Sequence, residues 1–183
     1  MTREELRKMY DKVFEDHTLE KILGAEPAFS GYMLRQEKGG RINSVMILFT
    51  PEGIVIAGDH APTRTGMVSN IGYGIEWFAQ EQGGEYLMEK FGQDRVFRPD
   101  MAIAWLDEYV KEAAPKDVPD AYEIIETRKT LSTGDMAEWE FIGWISDNLP
   151  SDAFSGLNIY GYDLNATTKL EAINARFTAL YKF

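Results

Sequence analysis

Only two histidines stand in the chain, and each follows an aspartate: Asp16-His17 and Asp59-His60. The second pair lies in Gly58-Asp59-His60-Ala61-Pro62-Thr63-Arg64-Thr65-Gly66. It is the natural seed of a small metal-dependent or hydrolytic enzyme, with His60 as ligand or general base and Thr63, Arg64 or Ser69 assisting. Geometry argues against that chemistry. Adjacent residues on a strand face opposite ways, on a helix they diverge by about 100°, and a metal site needs three or more ligands. A loop-shaping role for His60 is the simpler reading. Ser69, in Met67-Val68-Ser69-Asn70-Ile71, lacks the flanking glycines of a nucleophile elbow. No Gly-Lys-Ser/Thr phosphate loop occurs, and Gly72-Tyr73-Gly74 supplies two glycines of a dinucleotide fingerprint with Trp77 where the third belongs. Among 30 carboxylates, the Glu138/Glu140 pair is no signature of glycoside hydrolysis. Cysteine is absent, which removes disulfides, thiolate metal sites and cysteine nucleophiles together. The residues point to a chain without catalytic residues, metal or cofactor.

Carboxylates are the chemistry that remains. The net charge of −11 arises from 30 acidic and 19 basic residues, and its distribution is uneven. Residues 1–75 carry 10 acidic and 9 basic side chains, and residues 153–183 carry 2 and 3. Residues 76–152 carry 18 and 7, the whole of the excess. Glu108 and Glu112 are four apart, and Asp117, Asp120, Glu123 and Glu126 recur every three residues. Like charges at helical three-and-four spacing destabilise by about 0.2–0.5 kcal/mol per pair. They also lie about 5–6 Å apart, near the spacing of successive backbone phosphates, so such a face can compete for a groove built for nucleic acid. Asp107, Glu108, Glu112, Asp117, Asp120, Glu123 and Glu126 are therefore the candidate partner-binding carboxylates. Tyr73 and Trp77, in the glycine- and aromatic-rich stretch 58–91, are the candidate aromatic anchors. The alternative is that the acids form a solvated surface and the aromatics complete a core.

These residues must be held by a fold, and the composition supports one: apolar residues make up 44% of the chain and aromatics 13%. Thr2 and Glu5 have capping-box spacing ahead of Leu6, Met9, Tyr10, Val13 and Phe14, which predicts a helix. Thr18 is read as the start of a second short helical turn closed by Gly24. Tyr32–Gln36, Ile42–Thr50 and Ile54–Ala57, joined by Lys38-Gly39-Gly40-Arg41 and Pro51-Glu52-Gly53, predict a three-strand antiparallel meander with its second strand central. Short helical pieces follow at Ile75–Ala79 and Tyr86–Phe91. Beyond Pro99, with Asp100 as N-cap, comes a firmer helix carrying Ala102, Trp105, Leu106, Tyr109, Val110 and Ala113 on its apolar face. Further helices are predicted near Ala121–Lys129, over Met136–Asn148, and after a Thr168/Glu171 capping pair. Leu157–Asp163 is a candidate extra strand. The fold class is α+β, a small antiparallel sheet with about five or six helices in one domain over 1–183, with a candidate boundary at Gly92–Pro99.

The charged opening Met1-Thr2-Arg3-Glu4-Glu5 has no apolar signal core behind it, and the longest strongly apolar run, Val45–Phe49, is too short to span a bilayer. A cytoplasmic location without membrane contact is expected. Direct DNA binding is not, because phosphates require Lys and Arg. Size, missing cysteines, the acidic middle and the stretch Gly58-Asp59-His60-Ala61-Pro62, Gly66, Ser69, Gly72-Tyr73-Gly74, Trp77-Phe78 and Tyr86-Leu87-Met88-Glu89-Lys90-Phe91 resemble small phage or prophage proteins that block host defence nucleases. In particular the chain resembles anti-CRISPR proteins acting on type II effector nucleases. The patterned resemblance covers about 35 residues, and anti-CRISPR proteins share no general fold, so no site residue transfers with it. It implies a non-enzymatic inhibitor in the host cytoplasm that binds a basic nucleic-acid-handling protein, here a type II effector with its guide RNA, and blocks DNA binding or cleavage. The competing readings are the Asp59-His60 enzyme and an acidic phage structural or accessory protein; homo-oligomerisation is compatible with either the inhibitor or the structural reading.

Overall fold

In a computed structural model, which describes residues 1–24, 29–36, 44–59, 66–69 and 74–181, the N-terminal capping pair forms as its spacing predicts. The Glu5 amide donates to Thr2 Oγ1 at 3.3 Å and the Thr2 amide donates to Glu5 Oε2 at 2.7 Å. Hydrogen bonds to its carboxylate, from the Thr2 backbone foremost and from the Thr2 side chain, lower the Glu5 pKa below the ordinary carboxylate value. They open α1 (Arg3–Phe14), which buries Leu6, Tyr10 and Phe14 at four-residue spacing.

The five strands after it form one antiparallel sheet in sequence order: β1 (His17–Leu23), β2 (Ser30–Gln36), β3 (Val45–Thr50), β4 (Gly53–Gly58) and β5 (Gly66–Ser69). The expected meander is β2–β3–β4, and β3 lies at the centre of the sheet. Thr18 begins no helix. It lies in β1, opposite Arg35 of β2, and a bulge between Lys21 and Leu23 blunts this edge strand. Alternation along the sheet turns Tyr32, Leu34, Val45, Ile47, Phe49, Ile54 and Ile56 to one buried face. That face shares its core with α1, the short helices α2 (Ile75–Phe78) and α3 (Gly84–Lys90), and the long C-terminal helix α7 (Leu164–Leu180). The rings of Tyr32, Phe49, Phe78 and Tyr181 surround Phe177 at centroid distances of 5.3–5.7 Å. Asn174 is buried in the same core. Its side chain donates to the Phe78 carbonyl at 2.7 Å and accepts from the Gln82 amide at 2.9 Å, so the α2–α3 turn is tied to α7. The cap of α7 is Asp163, accepting from the Ala166 amide, and not the Thr168/Glu171 pair. Thr168 is fully buried one turn into the helix, and Glu171 pairs with Arg3 and Arg7 of α1.

The chain, expected as one domain over 1–183, divides into two compact units, Met1–Asp94 with Tyr162–Phe183, and Arg95–Gly161, and the first of the two boundaries falls inside the Gly92–Pro99 stretch. The second unit contains α4 (Pro99–Glu112), a 3-10 turn (Pro115–Asp117), α5 (Ala121–Thr133), α6 (Glu138–Asn148) and a second 3-10 turn (Ser151–Phe154). Its ends are the two strands β6 (Val96–Phe97) and β7 (Tyr160–Gly161), paired antiparallel in a ladder separate from the main sheet. The expected strand over Leu157–Asp163 shortens to β7. Pro99 takes the first position of α4, so the N-cap is Arg98 and not Asp100. Arg98 instead forks onto the Asp100 carboxylate at 2.7 and 2.5 Å, and these hydrogen bonds lower the Asp100 pKa. Gly134 closes α5 in the left-handed region at φ 78°, a conformation that favours glycine. The core of this unit is Ala102, Leu131, Phe141, Ile145, Leu149, Ala153 and Ile159. Among the described residues no helix is long and apolar enough to cross a membrane.

Candidate functional site

Prolines shape the ground on which the acidic residues meet. A residue before proline is driven out of helical conformation. Ala114 before Pro115 is extended, with φ −64° and ψ 144°, and Leu149 before Pro150 is extended, with φ −119° and ψ 154°. α6 stops for this reason at Leu149, whereas α4 leaves the helix one residue earlier, at the extended Ala113 (φ −67°, ψ 151°), and each is followed by a 3-10 turn. Between the C-terminal half of α4 and these two turns lies a cleft of about 490 Å³.

One wall of the cleft is aromatic. Trp105 and Tyr109, one helical turn apart on α4, stack at 5.6 Å with 24° between their planes. The other side of Trp105 meets the buried Phe141 ring edge-on at 6.1 Å, which fixes the pair from the core. The Tyr109 hydroxyl donates to the Asp117 carbonyl at 3.2 Å and holds the first 3-10 turn against α4. The remaining lining is small or acidic: Ala113, Ala114, Ala153 and Gly156 beside Glu108, Glu112, Asp117 and Asp152. Among the described residues, none of these four carboxylates forms an ion pair with Lys or Arg. Burial raises the Tyr109 pKa above the ordinary phenol value, and the charges of Asp117 and Asp152 raise it further. The phenol thus registers a negative potential inside the cleft.

Such a site can receive an organic cation. A guanidinium or ammonium group gains from the face of an aromatic ring and from charge-assisted hydrogen bonds to carboxylates. Among the described residues no group of three or more His, Asp or Glu is placed to hold a metal ion.

The structure sorts the expected site residues into several fates. Glu108, Glu112 and Asp117 come together in the cleft. Asp107 instead bonds Arg128 at 3.1 Å and links α4 to α5. Asp120 is the N-cap of α5, accepting from the Tyr122 amide at 2.8 Å. Glu126 pairs with Lys129 at 3.6 Å, and Glu123 is exposed in the first turn of α5. Trp77 belongs to the other unit, half-buried, with its ring 6.2 Å from Phe78 and 6.1 Å from Tyr86. Tyr73, His60, Thr63 and Arg64 lie outside the described residues. Asp59 follows β4, its amide donating to the Ser44 carbonyl at 3.1 Å, and Ser69 ends β5. His17 is buried against Phe14, and its carbonyl accepts both Nε and a terminal nitrogen of Arg176.

Asp152 is a site residue that the sequence did not single out, and Trp105 and Tyr109 were read only as core positions. Their spacing on α4 is a visible signal for a shared face, whereas nothing local marks Asp152. No family model matches the chain, and neither a curated protein nor a solved structure matches it.

Proposed function

We propose that this chain is a non-enzymatic inhibitor that docks on a basic nucleic-acid-handling protein and occludes its nucleic-acid groove, acting in the cytoplasm of the host cell. The observation that carries the reading is the cleft, where four carboxylates, none ion-paired among the described residues, line the same wall space as a stacked Trp–Tyr pair. Segment Arg95–Gly161 as a whole holds 13 acidic and 6 basic side chains, a net of −7 in 67 residues. Such a surface attracts a basic groove over long range, and an arginine or lysine of that groove finds both charge and a ring face in the cleft. The resemblance to phage anti-CRISPR proteins names the partner to try first, a type II effector nuclease loaded with guide RNA.

The test is DNA cleavage by that loaded effector, titrated with the chain. The expected result is inhibition that saturates near stoichiometric amounts and is relieved by combining Glu108→Gln, Glu112→Gln, Asp117→Asn and Asp152→Asn. Full cleavage at saturating chain would reject this partner, and inhibition unchanged by the four substitutions would reject the cleft. Inhibition at far below stoichiometric amounts, increasing with time of incubation, would replace binding by catalysis.

A further inference from the structure

Among the described residues, helices α1, α2, α3 and α7 of the first unit all share their core with one face of its sheet. Strand alternation turns Met33, Met46, Leu48 and Val55 to the opposite face, where Met33 pairs with Met46 and Leu48 with Val55 across neighbouring strands. Gly31 shows that Ile22 and Leu23, at the β1 bulge, join them. A Cβ added to it would fall 2.8 Å from Leu48 Cδ2, 3.1 Å from Leu23 Cβ and 3.4 Å from Ile22 Cγ1. None of these six side chains belongs to either apolar core. Ile22 and Leu23 are exposed and the other four half-buried. A polar rim of Thr18, Glu20 and Arg35 bounds the patch at one end and Thr50 at the other. A contiguous apolar patch rimmed by polar residues marks an interaction surface.

We infer that this open sheet face is the contact between two copies of the chain, packed sheet on sheet about a two-fold axis. Charge selects the occupant. At −11 per copy, association is opposed by self-repulsion, so a second copy needs a face on which charge is balanced. Here it is: among the described outward positions of β1–β4 the charged residues are Glu20 and Arg35, and they pair with each other. The face therefore meets itself without placing unpaired like charges together, as an isologous contact requires. It offers a basic groove no unpaired carboxylate and a phosphate or anionic lipid no unpaired cation. Area sets the strength. Four strands about 4.8 Å apart and three outward rows, rim included, give a footprint of roughly 400 Å² per copy, or about 800 Å² for the pair. That is too little for a permanent dimer and fits a reversible one. Methionine side chains at the centre suit two faces that must fit one another, because they adapt to irregular gaps.

Sedimentation velocity of the full chain over a micromolar to millimolar range, at about 50 and 500 mM salt, tests the contact. A monomer–dimer equilibrium is expected that tightens as salt rises, since salt screens the repulsion of the two copies and leaves the apolar contact in place. Docking on a basic partner has the opposite salt dependence, so the two proposals fail separately. Met46→Lys should weaken the dimer at least tenfold, and Met46→Leu should retain it. A second readout needs no variant. In the chain labelled at its methionine methyl carbons, the Met33 and Met46 signals should move with concentration, while those of Met9 on α1 and the buried Met88 stay fixed. A monomer at every concentration would overturn the inference, as would a dimer that leaves the Met33 and Met46 methyls unmoved or that weakens with salt. Shifts of those two methyls in a strictly monomeric chain, on adding an uncharged amphipathic peptide, would assign the face to another protein and overturn the second copy.

Discussion

Tyr109 reports on the charge of the cleft it lines. Its phenol holds its proton more tightly than a free tyrosine, first because it is partly desolvated and then because Asp117 and Asp152 are near. Asp117→Asn/Asp152→Asn should therefore lower its titration toward the ordinary value of about 10, though not fully to it, because the desolvation remains. The ring-carbon shift of Tyr109 followed by NMR through alkaline pH measures this directly, and an unmoved midpoint would show that the two carboxylates do not act on the phenol. The sign for stability follows from the same shift. A proton held more tightly in the folded state gives a contribution complete below about pH 10 and lost as pH rises through the folded titration. Residue identity alone could not have reached this assignment. Glu108, Glu112 and Asp117 were legible because they repeat along one stretch, whereas Asp152 enters from a 3-10 turn beyond two further helices. Asp107 shows the opposite failure: it shares the acidic pattern but is committed to Arg128.

At the scale of elements, the approach of α3 to α7 makes the sharpest demand. Gly84, buried at the start of α3, faces Thr167, where an added Cβ would fall 2.7 Å from Thr167 Cγ2 and 2.8 Å from its carbonyl oxygen. Because backbone is part of the obstacle, Gly84→Ala should destabilise the fold by about 1–3 kcal/mol, as overpacking does. Urea unfolding checks this, and a midpoint equal to wild type would mean the helices separate freely. Local signals read several elements correctly. The Thr2/Glu5 cap, the meander with its central β3 and the helix beginning at Pro99 each follow from spacing over a few residues. β1 escaped for a physical reason: Thr18-Leu19-Glu20-Lys21-Ile22-Leu23 fits helix and strand alike, and its state is settled by pairing with β2. The caps at Arg98 and Asp163 were missed because a proline at the first helical turn and an earlier aspartate compete with the better-known pattern.

For the whole molecule, the path of the chain matters most. Arg95–Gly161 leaves and rejoins the other unit through β6 and β7, where Val96 pairs with Gly161, so its two ends lie about 5 Å apart. Replacing 95–161 by a short glycine-rich turn should leave Met1–Asp94 and Tyr162–Phe183 with their own core around Phe177. A cooperative thermal transition by circular dichroism is the expected outcome, and a broad non-cooperative loss of signal would show that the first unit needs the second to fold. The same separation isolates the proposed docking site, since the four carboxylates of the cleft all belong to the inserted segment. The measurement that bears most directly on that function is the association rate of the full chain with a guide-loaded type II effector nuclease across a salt series. The wild-type rate should fall steeply as salt rises. Neutralising Glu108, Glu112, Asp117 and Asp152 should slow association about tenfold at low salt and flatten the dependence, with Asp107→Asn close to wild type. Absent association, or a quadruple variant with the rate and salt slope of wild type, would contradict docking through the acidic cleft.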